Sequence, residues 1–388
     1  MQRRGWDVTL LAGSLEHDPD PGHTRVDDVD VVRYRIPRGR FGTGRSTHAE
    51  AAAMAAVAGN RLSGHWDVVH GHAPTSALAI GELVPRDRAR RCVYTLHSPA
   101  SRELAANTSA DGWAHTMKRR AGGWLLDKSE RHALEHADAI HVLSRYSARL
   151  VEEVHGPAAA SKVTRIPWFV EGGIDSDVES GADPALDRED ARRRLGWQVD
   201  GFHAITVRRL VPRMGVDTLV RANALLPEDS KIWMHVIGEG SQRASLEQLA
   251  RTLSGSRSSA LTFDGRLSDA GVEAAYAAAD LFVVPTAALE GFGLIILEAL
   301  ARGVPVIGTD VGAIPEVLGR IDPEAIVPAG DAAALARKIV TLASRGVKPE
   351  TRAALARRTR EAFPTRLTLD TYQAFLAGSV SAPAGATS

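Results

Sequence analysis

The sequence predicts an α/β protein of two Rossmann-like, doubly wound domains, and three observations carry that expectation. Short apolar runs ending in polar or small residues alternate with helix-periodic stretches, the pattern of strands buried between crossover helices. The alternation occurs twice, divided by the polar, Asp-rich stretch GIDSDVESGADPALDRED at 173–190, which reads as a linker. A length of 388 residues exceeds one ordinary core and suits two domains of comparable size.

Taken in order, the first set of strands is DVTLLAGS, DVVRYRIP, DVVHGHAP, CVYTLHSP, AIHVLSRYS and KVTRIPWF, with helices expected at 47–63 and 115–136. The second set is HAITVRRL, IWMHVIGEG, LTFDG, LFVVPT and VPVIGTD. The expected domains are residues 1–180 and 195–355, followed by a helical stretch at 356–378 that can cross back to the first domain. The tail SVSAPAGATS reads as frayed.

Basic and acidic side chains balance at 47 each, so the overall charge gives no argument for nucleic acid. A single cysteine, Cys92, excludes an internal disulfide and reads as a buried thiol. No apolar run reaches the roughly 18 to 20 residues needed to span a bilayer. The chain reads as cytoplasmic. Two patches, RYRIPRGRFGTGR at 33–45 and MKRRAGGWLLDK at 117–128, are basic enough to meet an anionic acceptor or a membrane surface; surface loops and a core-facing helix are the plainer reading.

The densest chemistry lies in ALEGFGLIILEALARGVPVIGTD at 288–310. A strand precedes it, Gly291-Phe292-Gly293 opens a helix that stops near Gly303, and a second buried strand follows. In such a unit, ligands sit at the carboxyl ends of the strands. The backbone of Gly291, Phe292, Gly293 and Leu294 would offer free N–H groups and the positive end of a helix dipole to an anion. Glu290 and Glu298 stand eight positions apart in an otherwise apolar run. A solvated helix face would explain such a pair, but an unpaired carboxylate beside a buried face is costly, which favours a binding role.

Several segments in register carry a family resemblance: RRLVPRMGVDTLVRA (208–222), VIGEG (236–240), LTFDGRL (261–267), AYAAADLFVVPT (275–286) and EGFGLIILEALARGVPVIGTDVGAIPEVL (290–318). Together they resemble the family-four retaining glycosyltransferases, which have the GT-B architecture of two facing Rossmann-like domains. RRGWDVTLL, DVVHGHAP, YTLHSPA and ADAIHVLSRYS look like that family's acceptor domain. The resemblance implies a nucleoside diphosphate sugar as co-substrate, no further cofactor, and no metal at the phosphates. The acceptor would be a small molecule, a glycan or a lipid-linked acceptor. Sugar, base and acceptor stay open.

The same resemblance distributes roles. Glu290 and His97 would meet the transferred sugar, Glu298 the ribose diol, and Arg209 the diphosphate, on which a guanidinium can fork. The family commonly has a lysine before the glycine that here is Gly215; this chain has Met214, with Arg213 as a replacement cation or an exposed loop residue. Gly238, Glu239 and Gly240 would open a helix on the donor, and Arg266 and Leu267 would meet the nucleobase through their backbone. His70 and His72 would line the acceptor cleft. The three histidines are also a possible zinc set, held as the minor reading. The Asp-x-Asp triplets at 18–20, 28–30 and 175–177 read as solvated charges.

Met1 falls where the family has the end of its first helix, so the opening strand, loop and helix are expected to be missing. The glycine-rich acceptor-side loop therefore has no counterpart that can be named. The alternatives to a transferase are an impaired or non-catalytic nucleotide-sugar-binding protein and a nucleotide-sugar epimerase.

Overall fold

A computed structural model describes residues 1–14, 23–26, 28–35, 64–72, 88–107, 113–169, 187–253 and 255–379. The expected helix at 47–63 and most of the 33–45 patch lie outside them, as do the triplets at 18–20 and 175–177.

The first lobe has strands β1 (Thr9–Ser14), β2 (His23–Val26), β3 (Val29–Arg35), β4 (Val69–Gly71), β5 (Cys92–Thr95), β6 (Ala139–Val142) and β7 (Val163–Arg165). They form two sheets, β1-β3-β2 and the parallel β4-β5-β6-β7. The six predicted strands are present; β2, an exposed antiparallel partner of β3, was not foreseen. Its residues HTRV are all exposed, so no buried-face pattern marks them. Helices α1 (Ala100–Asn107), α2 (Trp113–His136), α3 (Arg145–His155) and α4 (Pro157–Ala160) follow. Cys92 is half-buried, not buried, because it heads β5, where its N–H donates to Asp138 at 2.7 Å. On α2, Trp124 and Leu125 are 63% and 52% exposed, so these two apolar side chains of the 117–128 stretch do not face the core.

The second lobe begins earlier than expected. Helix α5 (Arg188–Arg194) occupies the end of the anticipated linker. Arg188 and Arg192 reach Asp280 at 2.8 and 2.7 Å, and Asp280 also accepts from the His203 N–H at 2.9 Å. Then come β8 (Phe202–Val207), α6 (Val216–Ala224), β9 (Ile232–Ile237), α7 (Arg243–Leu253), β10 (Leu261–Gly265) and α8 (Asp269–Ala278). After them run β11 (Leu281–Val284), α9 (Leu294–Ala301), β12 (Val306–Thr309), α10 (Ile314–Leu318), β13 (Ile326–Val327) and α11 (Ala332–Arg345).

Side-chain alternation shows why these runs are strands. Leu281 and Val283 enter one apolar cluster, with Leu219 and Leu335; Phe282 and Val284 enter the other, with Ile296 and Leu297. A period of two with both faces apolar requires helices on both sides. Each such burial stabilises by about 1.5–3 kcal/mol.

The order β10-β9-β8-β11-β12-β13, all parallel, positions the site. The chain leaves β8 in one direction and returns to β11 on its other side. At that reversal the loops after β8 and β11 part, leaving a crevice beyond their carboxyl ends.

The C-terminal stretch is two helices. In α12 (Pro349–Ala362), Leu355 joins the core of the second lobe. Helix α13 (Thr365–Leu376) packs on the first, where Tyr372, Phe375 and Leu376 meet Val93, Ala139 and Ile166. Arg4 pairs with Asp370 at 2.5 Å.

Candidate active site

Three loops converge at the switch between β8 and β11. Gly215 sits in the left-handed region at φ 65°, and a Cβ there would lie 1.9 Å from the Pro285 carbonyl oxygen. A Cβ on Gly238 would lie 2.0 Å from the Arg208 carbonyl oxygen. Glycine is what lets these backbones touch. The loop after β11 is fastened to the loop after β8 by the Ala287 N–H donating to the Arg213 carbonyl at 2.9 Å. Leu289 takes φ 58° without being glycine, a conformation that costs on the order of 1–3 kcal/mol and aims the next residue, Glu290.

The two arginines of VRRL divide sharply. The Arg209 side chain is 59% exposed and reaches Glu103 of α1 at 2.9 Å. The Arg208 side chain, 3% exposed, lies inside the crevice wall, with Nη2 at 2.9 Å from Met214 Sδ and 3.4 Å from Glu290 Oε2. Burial lowers the Arg208 pKa to about 10, against the raising influence of Glu290. Arg213 donates to the Leu289 carbonyl at 2.9 Å and to Glu103 at 3.1 Å. Glu103 thus bridges two arginines of the other lobe. Burial opposes its charge, but the hydrogen bonds from Arg209 and Ser98 and the two guanidinium charges prevail and hold its carboxyl below its ordinary value.

Beyond Glu290, the Gly291 carbonyl accepts from Ser144 and Ser147 at 2.7 and 3.1 Å. Gly293, at φ 83°, turns the chain into α9. Phe292 is buried against Phe363, so only its backbone is available to a ligand; Leu294 is 40% exposed. Glu298 is exposed, which removes the burial argument made for it. Its carboxylate instead accepts from Tyr276 at 3.1 Å, and burial raises that phenol's pKa, keeping it a donor. Glu239 pairs with Arg243, while its carbonyl accepts from the Leu210 N–H at 2.9 Å, bringing Gly238 and Gly240 to the β8 loop. Arg266 is exposed and Leu267 half-buried at the rim after β10.

On the first lobe the histidines meet as β4 and β5 end side by side. His70 Nε2 lies 2.7 Å from Thr95 Oγ1, the His70 and His72 ring centroids lie 4.1 Å apart with the planes tilted by 39°, and His72 Nδ1 is 3.4 Å from His97 Nε2. Among the described residues, no group of three or more His, Cys, Asp or Glu is placed to hold a metal ion.

Burial, with the neighbouring imidazoles adding, lowers His70 to about 2 and His72 to about 4. Burial likewise brings His141 to about 4, opposed by its hydrogen bond to the Ile166 carbonyl. In the unfolded chain each returns to 6.5. Below that pH the unfolded chain binds more protons, so stability present above it is lost as pH falls towards 4. The melting temperature should drop through this window, and His70→Gln should flatten the drop. An identical profile for the variant would refute the assignment.

Sequence reasoning missed Arg208, Glu103, Ser144, Ser147 and Glu316. Glu316 accepts from the Arg145 and Tyr146 N–H groups at 2.9 and 2.7 Å, capping α3 from the other lobe. Of these, Ser144 alone carried a local signal, as an N-cap in LSRYS. Between the lobes a cleft of about 670 Å³ is lined by Arg102, Tyr146, Arg149, Glu153, Ala288 and Leu289.

Comparison with known proteins follows the same division of the chain. Residues 1–168 match the family described as glycosyl transferase 4-like domain, and residues 187–362 the family described as glycosyl transferases group 1. The chain is 34% identical over 326 residues to D-inositol 3-phosphate glycosyltransferases of Mycobacterium tuberculosis and Mycobacterium bovis, a match taking in 81% of this chain. It spans 62% of those relatives' length.

Among solved structures, a sucrose-phosphate synthase from Thermosynechococcus elongatus superposes with a TM-score of 0.70 at 22% identity, covering 97% of this chain and 91% of that one. HepE of Anabaena in complex with UDP-glucose does so at 0.66 and 18%, covering 95% and 99%. By these matches the chain belongs to the group 1 glycosyltransferases, with the GT-B arrangement of two Rossmann-like lobes.

Proposed function

We propose that the protein is a retaining glycosyltransferase, moving a sugar from a nucleoside diphosphate sugar to an acceptor hydroxyl. The observation that carries this is the convergence of Arg208, Arg209, Arg213 and Glu290 with the N-terminus of α9 at the switch point. Cations and free backbone N–H groups suit a diphosphate, and Glu290, at the crevice mouth, suits sugar hydroxyls. Glu103 stands as an internal anion on Arg209 and Arg213, and a diphosphate of higher charge would take its place. With the phosphates held by side chains and backbone, no metal is called for. Catalysis is then stabilisation of the leaving diphosphate, whose oxygen takes the acceptor's proton as the hydroxyl attacks from the same face.

The cleft lined by Arg102, Arg149 and Tyr146 supports an acceptor site open to an anionic group. His97, His70 and His72, neutral at pH 7, supply hydrogen-bonding imidazoles to the transferred sugar and the acceptor. Among the described residues no helix is long and apolar enough to cross a membrane, while the exposed Trp124 and Leu125 leave peripheral contact with one as part of the proposal.

Incubation with UDP-, GDP- and ADP-sugars, with and without inositol phosphates and glycosides, tests the reading by release of free nucleoside diphosphate. Acceptor-dependent release supports transfer; a new sugar nucleotide would mean epimerisation, and binding without turnover a non-catalytic protein. Glu298→Ala should weaken binding of the donor about 10-fold, by loss of a hydrogen bond to a charged group. Unchanged affinity for every donor would remove the ribose role.

A further inference from the structure

Resting on the donor-site reading above, we propose that Arg208 is a diphosphate-binding cation of this site, replacing the lysine that the resemblance places at position 214.

The geometry is that of a relocated charge. Methionine and lysine share an unbranched stem, and the sulfur of Met214 stands where a lysine would have its third side-chain carbon, Cδ, two bonds short of the ammonium. The Arg208 guanidinium lies 2.9 Å from that sulfur, so it fills the space that a lysine ammonium would reach. The charge therefore comes from the end of β8 instead of the turn below it.

The bonding of Arg208 points to an absent anion. Its Nε and Nη1 are buried with no hydrogen-bond partner among the described residues. Nη2 has a thioether, which is a weak acceptor, and a carboxylate oxygen at 3.4 Å. Leaving buried N–H donors unpaired is costly, and a single long contact to Glu290 satisfies little of it. A diphosphate at the switch point would supply the missing acceptor oxygens. Arg209 and Arg213 both already donate to Glu103, and Arg213 keeps one buried nitrogen, Nε, without a partner among the described residues, against two on Arg208. Gly238 completes the arrangement: any side chain there would collide with the Arg208 carbonyl and push the guanidinium out of place.

A counterion for Glu290 would explain the charge of Arg208 but not its two idle nitrogens. The two roles separate in a titration of the full chain by calorimetry, with UDP, GDP and ADP against uridine, guanosine and adenosine. Arg208→Gln is expected to weaken the diphosphate that the wild type binds by about 10- to 100-fold, with the matching nucleoside unchanged. The double variant Arg208→Gly with Met214→Lys returns the charge to the turn and is expected to regain affinity to within a few-fold of wild type; it also carries the test if Arg208→Gln does not fold. A folded Arg208→Gln that binds diphosphate like the wild type, or a folded double variant that has lost that affinity, overturns the proposal while the donor site stands. If the wild type binds none of the three diphosphates, the donor-site reading itself has failed and the inference goes with it.

Discussion

Asp280→Ala is expected to destabilise the second lobe by about 3–5 kcal/mol, the effect of removing one partner from a buried ion pair. Asp280 sits just before β11, with its side chain 6% exposed. It accepts from Arg192 at 2.7 Å, from Arg188 at 2.8 Å and from the His203 N–H at 2.9 Å. Without it the Arg192 guanidinium, itself 6% exposed, stays buried with carbonyl partners only. Because α5 is the first helix after the 170–186 stretch, losing this anchor should also free the chain entering the second lobe. Urea unfolding followed by tryptophan fluorescence would read the loss, Trp197 being next to this cluster in sequence. A change below about 1 kcal/mol, the range of an exposed pair, would show that the pair is not a buried one.

Gly291→Ala should cut the rate of transfer by about 100-fold, while the affinity for nucleoside diphosphate changes only a few-fold. A Cβ at position 291 would come 2.3 Å from the carbonyl oxygen of His97, a backbone atom of the opposite lobe. No rotamer relieves that contact; either the lobes part or the loop carrying Glu290 shifts. A misplacement on the order of 1 Å between reacting groups costs about 100-fold, whereas a diphosphate held by the second lobe alone is little affected. Single-turnover rates alongside calorimetric titration separate the two quantities. Wild-type transfer by the variant would mean that the chemistry proceeds in a more open form than the one described.

How much of this was legible beforehand depends on the kind of signal. Both lobes were, because runs such as LFVV are apolar on successive residues, and only a strand covered on both faces needs that. Helix α5 was not, since REDARRR is charged at every position but Ala191; it is held by ion pairs whose partner, Asp280, is some ninety residues away. Within the site, the pairing of the 208–214 segment with the 288–294 segment was readable from motif order. The division of labour between Arg208 and Arg209 was not, because neighbouring identical residues give no hint of which one turns inward. Glu103 was invisible for another reason: its partners lie across the interlobe boundary, and a lone glutamate in SRELAAN looks like any helix surface. Glu298 lies on α9, but the burial argued for it is absent, its carboxylate being solvent-facing and tied to a phenol.

Helix α13 has a consequence for how such a molecule can move. After the second lobe the backbone returns to the first, so among the described residues the halves are joined by two covalent crossings, one between β7 and α5 and one between α12 and α13. A body tethered at two points loses most of its freedom to twist and keeps one favoured rotation, about the line through both tethers. Motion that brings donor and acceptor together is thereby confined to something like a door on a pair of hinges, and Phe363 and Pro364, at the second crossing, are where the pin would sit.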